Sequence, residues 1–255
     1  MEGERKGGDA GMRIKYVGNA GVILEADKTC VAVDCFCRDE FGIYPNLSAE
    51  EKESLFEMIE NGNLKTLIFT HEHSDHFFAS DVKVACEKHS DLKVLSGKKV
   101  IDLLYKERIP SEQLVEIEPP RSVQEGELEI AFIKTEHDGD QYAEVENLTL
   151  LISIGRKKVV ITGDAKPSEA LFAKISDWSK EVDLLIAPFP YVGLRSARKE
   201  MAKNLSVGTI VATHEPRPEK DTLGWLESTE KVCAQANDGL PAPVFSKKQK
   251  EWLCL

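Results

Sequence analysis

Thr70-His-Glu-His-Ser-Asp-His-Phe77 places three of the chain's six histidines, with an aspartate, inside six consecutive positions. The run before it, Leu64-Lys-Thr-Leu-Ile-Phe69, is compact and apolar with β-branched and aromatic members, so it predicts a buried strand with the histidines at its C-terminal end. A strand fixes the base of the loop that leaves it while the loop tip stays open to a ligand. In extended backbone His71 and His73 project to one side, and a turn after Ser74 returns Asp75 and His76 to a neighbouring point. Imidazole nitrogen and carboxylate oxygen are preferred by zinc and related divalent ions. Four such donors exceed what one catalytic ion with an open position takes from the protein. Two adjacent ions are therefore expected.

A pair of ions needs about six or seven protein ligands, and further donors stand in the same strand-end setting. His137 follows the apolar run 130–135, Asp164 follows the run 157–162 within Thr162-Gly-Asp164, and His214 follows Val211-Ala-Thr213. Asp34 ends Val31-Ala-Val-Asp34 and is the candidate partner that holds the histidine loop. Each of these reads, taken alone, as an ordinary loop residue; the cluster at 71–76 gives them their weight. His89 lies in a polar stretch and reads as an exposed helix end.

Working outward, 12–33 reads as strands joined by tight turns at Gly18-Asn-Ala-Gly21 and Ala26-Asp-Lys28. Ser48-Ala-Glu-Glu51 has capping-box spacing and opens a short amphipathic helix closed by Asn61-Gly62. Further helices are expected at 80–88, 98–107, 168–176, 195–205 and 223–236. Strands are expected at 92–95, 114–117, 127–134, 147–154, 157–162, 182–187 and 208–212. Helices and strands interleave, with hairpins mixed in and no linker or repeat, which predicts one domain over 12–255 behind a polar, Gly-rich, flexible tail over 1–11.

Composition narrows the function classes. Hydrophobic residues make up 42% and charged residues 30% of the 255 positions, and no apolar run approaches the roughly 18 residues of a membrane span. Six scattered cysteines without a CxxC pair, and the absence of a leader pattern at the start, point to reduced thiols and a cytoplasmic setting. Net charge is −11, from 44 acidic and 33 basic side chains, so the overall field repels polyanions and disfavours nucleic acid as a partner. Lys98-Lys99, Arg156-Lys-Lys158 and Lys247-Lys-Gln-Lys250 read as solvated basic faces. The expected partner is a small-molecule substrate, and the sequence assigns no oligomeric state.

His-x-His-x-Asp-His at 71–76, then His137, Asp164 in Thr-Gly-Asp, and His214 resemble, in order and context, the ligand set of the metallo-β-lactamase superfamily. The resemblance runs from the Tyr16-Val-Gly-Asn-Ala-Gly21 hairpin to the His214 strand. It implies an α+β fold, a four-layer αβ/βα sandwich of two mixed sheets flanked by helices, with two metals at one edge. It also implies that His71, His73 and His137 bind one ion, that Asp75, His76 and His214 bind the other, and that Asp164 bridges them. The best-known zinc β-lactamases carry Cys where this chain has Asp164, and flavodiiron oxidoreductases carry a carboxylate in place of His73, so the site is most similar to those of the hydrolases. Gly18-Asn-Ala-Gly21, Ala187-Pro-Phe-Pro190 and Thr213-His-Glu215 resemble the branch containing ascorbate-6-phosphate lactonase.

The expected activity is hydrolysis of a small ester, lactone or phosphodiester by a hydroxide shared between two divalent ions, zinc first, manganese or iron as alternatives. Asp75 is the catalytic candidate, orienting the water and moving its proton. Tyr191 and Arg195 are candidate substrate contacts. The rival readings are a ribonuclease-Z-like nuclease and a non-catalytic metal-binding scaffold. Cys35 and Cys37 lie just past Asp34 and read as buried thiols, with redox sensitivity of the site as the alternative.

Overall fold

The computed structural model of the chain describes residues 11–246 and 252–255. The tail expected over 1–11 lies, except for Gly11, outside the described residues, as does the basic stretch 247–250.

Two short meanders each lead into parallel strands. Strands β1 (Met12–Val17), β2 (Gly21–Ala26) and β3 (Thr29–Val33) pair antiparallel, and β4 (Thr66–Ile68), β5 (Lys93–Ser96) and β6 (Leu114–Glu116) continue parallel from β3. The crossovers that parallel pairing requires are helices: α1 (Ala49–Glu60), α2 (Ala79–Lys88) and α3 (Lys98–Lys106). The second half repeats the plan. Strands β7 (Arg121–Glu125), β8 (Leu128–Glu136), β9 (Glu146–Ile154) and β10 (Lys157–Ile161) form a meander, followed in parallel by β11 (Glu181–Pro188), β12 (Ser206–Thr213) and β13 (Val244–Phe245). Helices α4 (Glu169–Trp178), α5 (Phe189–Gly193), α6 (Arg195–Asn204) and α7 (Trp225–Gln235) fill those crossovers. A two-residue β14 (Leu253–Cys254) returns to pair with β1, completing two seven-stranded sheets.

The two-residue period of the strands decides the layers. Leu148, Leu150 and Ile152 of β9, Val159 and Ile161 of β10, and Leu184 and Ile186 of β11 meet Ile14, Leu24, Val31 and Ile68 of the first sheet in a core between the sheets. The alternate residues Leu151, Val160 and Leu185 face outward and pack on Phe172, Ile175 and Met201 of the helices. On the other side Ala32, Leu67 and Val94 pack on Leu55, Ile59, Val82 and Leu104. Three apolar cores thus separate four layers, the expected αβ/βα sandwich. Among the described residues no helix is long and apolar enough to cross a membrane.

The capping box at Ser48 forms as read: its hydroxyl accepts from Glu51 N–H while the Glu51 carboxylate accepts from Ser48 N–H. Several elements were not anticipated. Strand β7 carries one apolar residue, Val123, and is largely exposed at a sheet edge, so it has no periodic signature. Helix α5 is five residues long and contains Pro190, while β13 and β14 are two residues each.

Candidate metal centre

The donors, and Asp34 behind them, all sit just past strand C-termini: Asp34 after β3, residues 70–77 after β4, His137 after β8, Asp164 after β10, and His214 after β12. Backbone hydrogen bonds lock these segments together. Asp34 N–H donates to Ile68 C=O, Arg38 N–H to Ser74 C=O, and Phe78 N–H to Phe36 C=O. Leu148 N–H donates to Thr70 C=O, which ties the histidine loop of the first sheet to β9 of the second. In the second sheet Asp138 N–H reaches Asp164 C=O, and Lys166 N–H reaches Glu136 C=O. The octapeptide is bracketed by the Phe69 and Phe77 rings, edge to face at 5.1 Å, and turns through His76 and Phe77 N–H groups donating to His73 C=O.

Seven side chains converge in two groups. His71, His73 and His137 offer ring nitrogens within 4.8 Å of one another, and the ring nitrogens of His76 and His214 and the carboxylate oxygens of Asp75 and Asp164 lie equally close together. Asp164 stands between them. Its Oδ1 lies 3.1 Å from His214 Nε2 and 3.3 Å from His76 Nε2, and its Oδ2 lies 3.6 Å from His137 Nε2. All seven but His73 and Asp164 are in the buried class.

The hydrogen bonds behind the rings determine which nitrogen faces inward. Asp34 accepts from Thr70 N–H at 2.8 Å and from the Thr70 hydroxyl at 2.7 Å, and it lies 2.8 Å from His76 Nδ1. With its proton given to Asp34, the Thr70 hydroxyl is left to accept from His71 Nδ1 at 3.0 Å. His137 Nδ1 donates to Asp138 C=O at 2.7 Å. These contacts place the protons on Nδ1 and leave the Nε2 lone pairs aimed at the centre. There, His71 Nε2, His137 Nε2 and Asp164 Oδ1 are buried without a hydrogen-bond partner, and His76 Nε2 meets His214 Nε2 at 2.7 Å. Buried lone pairs pointing at each other and at a carboxylate are costly unless a cation sits among them. The residues present therefore fit divalent metal ions.

Electrostatics divide the donors. Burial, then the neighbouring His76, pushes His71 well below the usual imidazole range, and burial, then His137, lowers His73, so both are neutral and ready to ligate. Burial alone would raise the Asp164 carboxyl, but His214 and His76 outweigh it and hold the group well below the carboxylate range. His76 shows the converse: burial disfavours its charge, and Asp164 and Asp34 overcome that and raise it.

The sequence reading had not singled out several residues that shape the centre. Asn147 is fully buried; its amide donates to Thr162 C=O at 2.9 Å and accepts from Asp164 N–H at 3.0 Å, fixing the Asp164 backbone. Tyr142 packs edge-on against His73 and His137, and Tyr44 against His214 at 4.7 Å. Asn19 lies 3.4 Å from His214 Nδ1. The role of Asn147 depends on contacts with distant segments and leaves no local signal; of the others, only Asn19 stands in a stretch singled out above, Gly18-Asn-Ala-Gly21. Two site residues have left-handed backbone, Asp34 at φ 51° and His214 at φ 60°, a strain typical of functional positions.

Of the candidate substrate contacts, Tyr191 is buried on α5 with an unpartnered hydroxyl, pushed up by burial and then by Asp164. Arg195 is exposed at the start of α6 and lines a cleft with Arg198 and Asp238. Cys35 and Cys37 are buried thiols, raised above the ordinary range chiefly by that burial. Lys99, from one of the basic stretches, is paired with Glu72, and Lys157, from another, with Asp183.

A four-layer αβ/βα sandwich with His and Asp donors gathered at the strand ends of both sheets is the metallo-β-lactamase fold. The chain belongs to the family described as Beta-lactamase superfamily domain, whose model matches residues 45–225. It is similar to the metallo-β-lactamase fold protein YhfI from Bacillus subtilis (19% identity, TM-score 0.62), with 88% of this chain and 93% of that chain covered. It is also similar to a "possible metal-dependent hydrolase" from Veillonella parvula (14% identity, TM-score 0.68; 96% and 100% covered). A third similar structure is the isothiocyanate hydrolase from Delia radicum gut bacteria (13% identity, TM-score 0.67; 92% and 96% covered). Among curated proteins, none matches the chain.

Proposed function

We propose that the protein is a binuclear metal-dependent hydrolase of a small ester, lactone or phosphodiester. The observation that carries this reading is the pair of donor groups, His71/His73/His137 and Asp75/His76/Asp164/His214, with inward Nε2 atoms and with Asp164 between them. Two divalent ions, zinc first and manganese or iron as alternatives, supply Lewis acidity and lower the pKa of water when bound there.

The chain's own groups do the rest. Asp34, Thr70 and Asp138 hold the histidine rings in the ligating tautomer. Asp75, whose side chain is 9% exposed, orients the attacking water and accepts its proton at a carboxylate oxygen. As the water oxygen bonds to the acyl carbon, the bond to the leaving oxygen breaks. Asp75 returns the proton there, so that an ester and water become an acid and an alcohol. The Tyr191 hydroxyl, buried and without a partner, is free to donate to a substrate oxygen.

The test strips the protein with a chelator, reloads it with zinc, manganese or iron, and measures metal content beside turnover of a neutral ester, a lactone, a phosphodiester and a structured RNA. Two equivalents of metal per chain and return of small-molecule hydrolysis are expected, with His73→Ala losing both metal and activity. Activity that survives metal removal would sink the reading, and preference for the RNA would favour a nuclease.

A further inference from the structure

Beside His214 lies an apolar groove that the metal chemistry leaves unused. The loop at 43–44, α5 and the turn after it, and one face of α7 enclose a cavity of about 340 Å³, inside the roughly 300–1,000 Å³ range of small-molecule pockets. Tyr44, Phe189, Leu194, Trp225 and Val232 form much of its surface, and among the described residues no charged one lines it. Among the described residues, three of the seven exposed large apolar side chains, Ile43 at 42%, Leu194 at 48% and Trp225 at 58%, belong to it, a concentration that marks a binding surface rather than chance exposure.

Tyr44 makes the groove continuous with the metal centre. One side of this residue lines the groove, while its ring edge packs on His214 at 4.7 Å. Phe189 in the wall is two residues from Tyr191, whose phenol is affected by Asp164. Groove and metal centre thus meet at Tyr44, which touches both. Composition argues against the chain's own remaining segments as occupants: 1–10 contain only Met1 and Ala10 as apolar side chains, and 247–251 contain none.

We propose that this groove is the substrate-selecting pocket of the metal centre and that it receives an uncharged alkyl or aryl group, so the substrate is a small molecule with an apolar arm beside the bond that is cut. A charged or sugar-like arm would be desolvated there without a partner, whereas each methylene buried gains about 0.8 kcal/mol, or about fourfold. The assignment rests on the hydrolase reading above for its catalytic consequence but not for the binding itself.

Two readouts separate the claims. In metal-loaded protein, kcat/KM for 4-nitrophenyl acetate, butyrate and hexanoate is expected to rise at least tenfold across the series, and a parallel arm with methyl and hexyl 4-nitrophenyl phosphate asks whether the cut bond is a carboxylic or a phosphoric ester. Independently of turnover, ligand-observed NMR with hexanamide and acetamide should show hexanamide binding at least tenfold tighter. Ser228→Trp, which places a ring in the groove from an exposed α7 position, and Trp225→Ala should both flatten the chain-length dependence and abolish hexanamide selectivity at unchanged metal content. Selective hexanamide binding without turnover of any ester keeps the groove assignment and removes the hydrolase reading. Turnover with a flat series, equal binding of the two amides, indifference to both substitutions, or a dimer that Ser228→Trp disperses would overturn the groove assignment.

Discussion

Asp34 sits behind the proposed metal donors rather than among them, yet it governs two of them. It accepts from Thr70 twice and holds His76 Nδ1, and through the Thr70 hydroxyl it also fixes the proton on His71. Its φ of 51° is one that Asn tolerates, so Asp34→Asn removes the charge without forcing the backbone to move. The expected outcome is a 10- to 100-fold loss of metal affinity with an unchanged circular dichroism spectrum, read by competition with a chelating dye. Unaltered affinity would mean that His76 is oriented by packing alone. The sequence pointed to Asp34 because it ends a strand as the donors do; nothing local could have named Asn147 as the residue that holds Asp164.

At the scale of elements, the centre depends on how strand ends turn. Gly163, between β10 and Asp164, has a φ of 54°, and a Cβ there would stand 2.5 Å from Asn147 Oδ1 and 2.9 Å from Thr70 Cβ. Both neighbours are buried and engaged, so neither can yield cheaply. Gly163→Ala is therefore expected to lower stability by about 1–3 kcal/mol from backbone strain alone, with the steric conflict added. It should also reduce bound metal, because the group displaced is the one that carries Asp164. Urea unfolding and metal analysis check the two effects separately. The Thr162-Gly-Asp164 turn was legible as a turn; that its glycine is pinned between the two sheets required the packing of β9 against the β4 loop.

Over the whole molecule, the buried ion pair of Arg198 with Asp238 fastens α6 to the segment beyond α7. Arg198 is 1% exposed, and its guanidinium donates to Asp238 at 2.6 and 3.0 Å and to Val192 C=O at 3.3 Å. Asp238→Asn leaves that charge buried without its counter-ion and is expected to destabilise by about 3 kcal/mol, the low end of the range because the Asp238 side chain keeps 21% exposure. The hydrogen bonds from Arg198 hold the Asp238 carboxyl below its ordinary value. The pair's contribution is then complete above the unfolded carboxyl value of about 3.9 and fades as pH falls through the folded one. Urea unfolding should give a constant gap between the wild-type protein and Asp238→Asn from pH 5 to 8, closing below about pH 4. A gap that persists at low pH would assign the effect to packing.

By itself the sequence determined the order of most elements, the alternation that makes two double-faced sheets, and the set of strand-end donors. These rest on local periodicity and on residue types with few other uses in such density. It could not show that β7, β13 and β14 complete the sheets, because short or polar edge strands gain their hydrogen bonds from neighbours rather than from a pattern of their own. Only the tertiary structure decided which nitrogen of each histidine faces inward. It alone placed Arg195 in a cleft with Arg198 and Asp238, and it alone placed Tyr44 between His214 and an apolar groove. Each of those outcomes depends on contacts between segments far apart in the chain, and such contacts are set by how the layers pack, not by the residues on either side.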